Sequence, residues 1–571
     1  MKLWIDRLEY DTKPEESLLD AVKALGLDDS RLSRRPLAAR LAGDTFTLNY
    51  VPQRSIDCVT NGTATMRRAM EASQGKVTLL RYEDARGKRV YCRTVQFILF
   101  WAVRQLWPDA VAKMNFTVGN ALNVTIEKEP AFTPADVPAL KEQVAELIAR
   151  DIPLLRSRIP TNEAQSIFQA DGQEDKARLL SFRNAPDFFV YRYGDYMDYF
   201  YGEMAPSTGY VSVWDIVSDK GQGIEFCFPD PNNPDQVAPY HEMPNFTAVF
   251  RESERWCSLM DCETVADLND LVEQGRLGEL IRVNEALHER SFSHIADKII
   301  EQNAQAVLLA GPSSSGKTTS ANRLAVQLRV HGKRPILMSL DDYYIDRDKI
   351  APGPDGTLDL EHINTIDTAL FREHLSRLLD GETVSLPRFD FNTGKRVPSG
   401  HQLTLGPDSV VIIEGLHGLN PALLPDNVDH NLVFRLYVSA LLPLNLDNHN
   451  RIPTSYLRLL RRIVRDYETR NASVSKTLSM WDSVRRGEER WIFPYQENAD
   501  VIFNSSLVYE LSLLKRHIFP LLDQVPPEDP YYEEVRSIVK VLNFVKESDL
   551  DWEVPPTSIL REFIGGNSFY A

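Results

Sequence analysis

Residues 306–318 read Ala306-Val307-Leu308-Leu309-Ala310-Gly311-Pro312-Ser313-Ser314-Ser315-Gly316-Lys317-Thr318, and they decide the fold. The last eight match G-x-x-x-x-G-K-[ST] in full. The five apolar residues before the loop predict a buried strand. Ala321, Leu324, Ala325 and Leu328 after it recur at i, i+3, i+4, i+7, which predicts a helix. Strand, glycine-rich loop and helix in that order aim backbone N–H groups and a helix N-terminus at a phosphate. The expected contacts of a nucleoside triphosphate are therefore Gly311, Ser313, Ser314, Ser315, Gly316, Lys317, Thr318 and Thr319. Lys317 would pair with the β- and γ-phosphates, and the Thr318 hydroxyl would bind Mg²⁺.

Around this loop, apolar runs alternate with helical patterns. The runs are 306–310, 335–340, 410–413, 432–438 and 500–503, which predicts a parallel α/β sheet over residues 286–520. Asp341 and Asp342 follow the second run. A carboxylate there can take the proton of an attacking hydroxyl or help to hold Mg²⁺; the bland alternative is a cap on the next element. The third run ends in Glu414-Gly415, where Glu414 would reach Mg²⁺. No N-K-x-D tetrapeptide is present, which speaks against a GTPase. Residues 451–490 hold ten basic and five acidic residues. Arg458, Arg461, Arg462 and Arg465 share one helical face, suited to covering a polyphosphate; a solvated basic face or an RNA patch are the alternatives.

The 571-residue chain carries 64 Lys and Arg against 81 Asp and Glu, a net charge of −17. Such a chain is a poor general binder of nucleic acid or anionic membrane. The longest near-apolar run, 95–103, is too short to span a bilayer. Five cysteines, all at or before position 262, make no disulfide framework, and the expected compartment is the cytoplasm. In the front half, the sequence predicts helices over 18–22, 94–106 and 138–150, a strand over 45–51, a turn at Asn61-Gly62, strands between 187 and 216, and a loop over 229–239.

Residues 305 to 510 resemble the uridine kinase / phosphoribulokinase family of P-loop kinases. Asp341-Asp342-Tyr343-Tyr344 is similar to its D-S-F/Y-Y segment, 386–391 to its P-x-Y-D-F element, Glu414-Gly415 to its E-G, and 461–466 to its R-R-x-x-R-D lid. The resemblance implies Asp341 as the base for a 5′-hydroxyl and Tyr344 near the nucleoside. It implies Phe389, Asp390 and Phe391 as the base and ribose pocket, and Arg462, Arg465 and Arg470 closing on the phosphates. Two positions depart. Gly394 stands where uridine kinases carry a histidine, and Glu361, in Leu360-Glu361-His362-Ile363, replaces an aspartate that binds ribose hydroxyls.

Residues 1–65 resemble the ubiquitin-like TGS domain, and 66–285 resemble the editing domain of threonyl-tRNA synthetases, best at 191–198 with 206–209 and at 103–109. The metal-binding positions of that editing site fall on Arg93, Phe97, Phe200 and Met204, which implies lost metal binding. His288 and His294, six apart, read as part of a helical connector, and 521–571 as a helix and tail. The expected fold is α/β: a P-loop NTPase-type parallel-sheet kinase domain behind α+β TGS-like and editing-like domains. The expected activity is ATP- and Mg²⁺-dependent phosphorylation of a nucleoside, uridine or cytidine first. Another small alcohol (pantothenate or a sugar phosphate) and an RNA-linked regulatory ATPase are the rivals. The expected partner is the small-molecule nucleoside, without membrane or nucleic acid; a homo-oligomer stays open.

Overall fold

The computed structural model describes residues 1–41, 43–52, 74–183, 185–219, 221, 223–350, 359 and 361–569. The expected turn at Asn61-Gly62, Cys58 and Leu360 lie outside them.

The loop at 311–318 leaves the central strand of a five-stranded sheet. Its strands are β1 (Ala306–Ala310), β2 (Arg334–Ser339), β3 (Ser409–Gly415), β4 (Val433–Ser439) and β5 (Val501–Asn504), in the order β2-β3-β1-β4-β5 and all parallel. β1 and the 410–413 stretch of β3 are apolar because both faces are covered. Val307, Leu309, Val410 and Ile412 face one core, with Phe292, Leu324, Leu328 and Ile559. Ala306, Leu308, Val411 and Ile413 face the other, with Tyr343, Phe371 and Leu375. The register sets Glu414 beside Leu309 of β1 and Ser339 of β2, so its carboxylate emerges between the loop and Asp341.

Five helices matter for the site: α1 (Leu277–Glu301), α2 (Lys317–Val330), α3 (Thr454–Arg470), α4 (Val474–Trp491) and α5 (Glu510–Leu522). α1 is continuous, so the domain boundary expected at residue 286 falls inside it. His288, buried in α1, sets Nε2 3.2 Å from the Ser506 carbonyl, and burial first of all pushes its imidazole down to about 3.

In the front half, the first sheet takes Lys2–Ile5, Leu8–Asp11, Ala38–Leu41, Asp44–Thr47 and Lys76–Leu80. The last of these pairs with two others, so this sheet extends past the expected boundary at 65. The helix expected from residue 94 begins at Ala85, because Val90 and Tyr91 continue its buried face. The stretch expected as a loop at 229–239 forms two short antiparallel strands, Pro229–Asp230 and Asn233–Val237, its turn held by Asp230 accepting from the Asn232 N–H. Among the described residues no helix is long and apolar enough to cross a membrane.

The two halves share a core. One buried cluster holds Phe168, Phe188 and Cys257 of the front half with Leu444, Leu457 and Leu514 of the back. Between β4 and α3 a hairpin, Asn445–Asp447 with Asn450–Arg451, enters the front half. Asn445 Nδ2 donates to the Met114 carbonyl (2.7 Å), and the Met114 N–H donates to the Asn448 carbonyl (2.8 Å). The His449 ring stacks on Phe100 at 3.8 Å. Its Nδ1 lies 2.6 Å from Asp198 Oδ2 and 2.7 Å from Lys176 Nζ, and Lys176 is itself 2.6 Å from Asp198 Oδ1. Burial alone would raise the Asp198 pKa; Lys176 and His449 outweigh it and hold the carboxyl well below the usual range.

Breaking a buried pair from one side leaves an uncompensated charge. Lys176→Met should therefore cost roughly 3–5 kcal/mol in chemical denaturation, with part recovered in the Lys176→Met/Asp198→Asn double variant. A single variant as stable as the wild type would refute the pairing as a structural element.

Candidate functional site

The loop is shaped by close approaches. A Cβ on Gly311 would stand 2.1 Å from the Val438 carbonyl, and Gly316, at φ +85°, has Ile559 where its side chain would be. Ser313 is gripped from three sides. Its N–H donates to Glu488 Oε1 (3.0 Å), its carbonyl accepts from Arg458 Nη1 (3.0 Å), and its hydroxyl accepts from Arg462 Nη1 (2.9 Å). The Ser314 and Ser315 hydroxyls are buried with no protein partner among the described residues.

Lys317 Nζ rests on the Pro312 carbonyl (3.1 Å), and the Thr318 hydroxyl donates to Glu414 Oε1 (3.3 Å). Asp341 sits in a 3₁₀ turn, Leu340–Tyr343, whose cap is Ser339: its Oγ accepts the Asp341 N–H (3.2 Å). The capping alternative for Asp341 is thereby answered. Asp342 instead accepts the Phe389 N–H (3.2 Å) and ties the turn to the next hairpin. Burial raises the Asp341 pKa, with Lys317 opposing. Burial also pushes Glu414 up to about 7 against Lys317, and Glu361 up to about 7 with Glu488 adding to the rise. Glu361 enters because α4 offers Gly487 there; a Cβ would meet its side chain at 2.3 Å.

Tyr344, Phe389 and Phe391 form an aromatic triangle with ring centroids 5.5, 6.3 and 5.1 Å apart. Phe389 is buried, whereas Phe391 is 55% exposed. Asp390, expected in the pocket, is engaged by its own turn: it accepts from the Asn392 N–H (2.9 Å) and the Thr393 hydroxyl (3.0 Å).

The arginine face expected to cover a polyphosphate is divided. Arg458 and Arg461 are fully buried and point inward, Arg458 to Glu488 (Nη2–Oε2, 2.8 Å) and Arg461 to Glu510 (2.7 and 2.9 Å). α3 is wrapped by α4, α5 and the C-terminal segment, so an arginine there needs an internal carboxylate. Arg462, Arg465 and Arg470 gather on the buried Asp466, at 3.2, 2.9 and 3.3 Å. Of these three, Arg462 also reaches the loop, through its bond to Ser313.

Sequence reasoning missed Glu488, a helical acid among basic neighbours, and Glu562 of the tail, which accepts from the Thr319 N–H and hydroxyl. The segment 521–571, expected as a helix and tail apart from the sheet, places Ile559 and Phe563 in the core beneath the loop.

In the front half, Phe97 and Phe200 (centroids 6.4 Å) lie in an aromatic cluster with Tyr191, Tyr193 and Tyr196. Arg93 donates to the Glu203 carbonyl, and Met204 is buried. Among the described residues no group of three or more His, Cys, Asp or Glu gathers as a metal site. Mg²⁺, which keeps waters and uses one or two carboxylates plus phosphates, needs no such group.

The pattern of the phosphoribulokinase / uridine kinase family matches residues 307–511. A uridine kinase from Brevibacillus brevis is 30% identical over 196 residues, covering 34% of this chain and 81% of that protein. A threonine–tRNA ligase from Acidovorax sp. is 30% identical over 146 residues, 25% of this chain; the chain spans only 23% of that protein's length. Among solved structures, a possible uridine kinase from Bacillus stearothermophilus is 20% identical with a TM-score of 0.24, over 35% of this chain and 89% of that one.

The acid cluster makes a pH signature. Glu361 and Glu414 hold protons up to about pH 7, against a usual 4.5. A raised acid favours the folded state below its unfolded pKa and loses that contribution as pH rises through the folded one. The ligand-free protein should therefore melt at lower temperature at pH 8 than at pH 5. Glu414→Gln should flatten the fall and raise the melting temperature at pH 8. An identical pH profile in the variant would refute the burial of that carboxylate.

Proposed function

The chain belongs to the phosphoribulokinase / uridine kinase family, and from that membership we propose that this P-loop kinase transfers the γ-phosphoryl group of ATP to the 5′-hydroxyl of a nucleoside, uridine or cytidine. The observation that carries the reading is a convergence. Lys317, Thr318, Asp341 and Glu414 meet at the carboxyl ends of β1, β2 and β3, beside the Tyr344–Phe389–Phe391 triangle. A base with a raised pKa, a phosphate-binding lysine and a stackable aromatic wall are the parts such a transfer needs.

In this reading the loop N–H groups and Lys317 hold the phosphates, and Arg462, Arg465 and Arg470 close over them. Asp341 takes the proton as the 5′-oxygen attacks phosphorus and ADP leaves. Burial raises its pKa, which makes it a stronger proton acceptor than a solvated carboxylate. The residues present fit Mg²⁺: Thr318, Glu414 and Asp341 offer only hard oxygen donors, and the pKa values of the two acids stay raised despite Lys317, so a further cation suits them. When bound, the ion neutralises charge on the phosphate oxygens. Tyr344, Phe389 and Phe391 would stack the base, and Glu361 would accept from ribose hydroxyls. Asp390, held by its turn, keeps the aromatic hairpin in shape instead.

A second reading, another small alcohol as acceptor, is favoured by one observation. Gly394 closes the aromatic hairpin at φ +67° with Arg347 against it, so no side chain there reads a pyrimidine. We assign the front half a scaffolding role, supported by the hairpin that it encloses.

ADP release with MgATP should be stimulated by uridine or cytidine in a panel that includes purine nucleosides, pantothenate and ribulose 5-phosphate. Asp341→Asn should keep ATP binding and lose roughly 10²–10⁴ in turnover; full turnover would sink the base assignment. Lys317→Ala should weaken both nucleotide affinity and rate, and an unimpaired variant would break the loop assignment. Stimulation by pantothenate or ribulose 5-phosphate alone would replace the nucleoside with the second reading.

A further inference from the structure

The C-terminal segment from Pro556 to Phe569 lies beyond the part of the chain that matches the kinase family, and it packs across the phosphate-binding loop. Its anchor is buried. Ser558 hydrogen-bonds Glu285, which also accepts from Tyr509. Ile559 fills the space beside Gly316, and the Phe563 ring lies 5.0 Å from the Arg461 guanidinium.

From this anchor Glu562 reaches the first turn of α2. Its Oε2 accepts from the Thr319 hydroxyl (2.7 Å) and the Thr319 N–H (3.3 Å), and Asn567 Nδ2 donates to the same hydroxyl (3.2 Å). The first α-helical bond of α2 runs from the Ser320 N–H to the Gly316 carbonyl, so the Thr319 N–H has no acceptor within its own helix. It is one of the donors that a loop of this kind turns to the α- and β-phosphates of a nucleotide. Here a carboxylate of the same chain already holds it.

We propose that Glu562 is an intramolecular competitor of the nucleotide, occupying a phosphate donor of the loop until ATP displaces it. The inference rests on the nucleotide-binding reading of the loop and adds a regulatory residue that the family pattern does not contain. One N–H serves one acceptor well. A carboxylate left at the site would also face a polyanion, and its charge already bears on Glu414 across the loop. The movement needed is small. Ser558, Ile559, Leu560 and Phe563 are buried, while the Glu562 side chain is only half-buried, so it can swing aside on a fixed backbone. The contrasting role is that of a cap, a carboxylate that steadies the N-terminus of α2 whether or not nucleotide is bound.

Calorimetric titration of the full-length protein with MgATP separates the two. Removing one charge next to the phosphates should tighten binding by about tenfold in both Glu562→Gln and Glu562→Ala. Glu562→Gln keeps the shape of the side chain, and Glu562→Ala removes the competing acceptor altogether. Unchanged or weaker MgATP binding in the two folded variants would overturn the competitor and leave a cap. Absence of MgATP binding in the wild type and both variants would remove the nucleotide reading itself, and the competitor with it.

Discussion

Arg458 and Glu488 are both fully buried, and each charge taken out of water costs several kcal/mol unless its hydrogen-bonding capacity is met. Here most of that capacity is met by the pair itself and by the phosphate-binding loop, while Arg458 Nε has no partner among the described residues. Arg458 donates to the Ser313 carbonyl, Glu488 accepts the Ser313 N–H, and Arg485 closes on the outer oxygen of Glu488. The pair therefore does two jobs that cannot be separated. It fixes the backbone of a loop whose glycines and positive-φ serine would otherwise leave it loose, and it joins α3 and α4 to that loop as one body. Arg461 with Glu510 repeats the arrangement one turn on and fastens α3 to α5.

The acids around the loop follow a complementary logic. Asp341, Glu361 and Glu414 lie half-buried near one another, with Lys317 as a shared cation, and all three have raised pKa values. The site is thus poised to exchange protons for cationic or hydrogen-bonding partners, which is the behaviour expected where substrate chemistry takes place.

Much of the fold is legible in the chain because it is local. Each strand of the parallel sheet is a short apolar run next to turn residues, and the loop declares itself through eight consecutive positions. The hairpin Val384–Asp390 with Lys395–Leu403 is not legible in that way, because Pro387 and Pro398, opposite each other in register, break its pattern. Periodicity also leaves open whether an arginine points out or in. Arg458 and Arg465 lie on one face, yet the first is sealed by Glu488, 30 residues away, and the second stays half-buried on its neighbour Asp466. The carboxylate on Thr319 comes from 243 residues downstream. Such partners are set by the packing of the whole chain, and no window of sequence contains both ends.

The hairpin at 445–451 also bears on how the chain is made. The front half, with Lys176, Asp198 and Phe100, leaves the ribosome first. The imidazole that stacks on Phe100 belongs to residue 449, more than two hundred positions later. The front half can finish its interior only after the fourth strand of the parallel sheet has been synthesised. Completion of the front half therefore waits on part of the back half, and the order of synthesis is not the order in which finished domains appear.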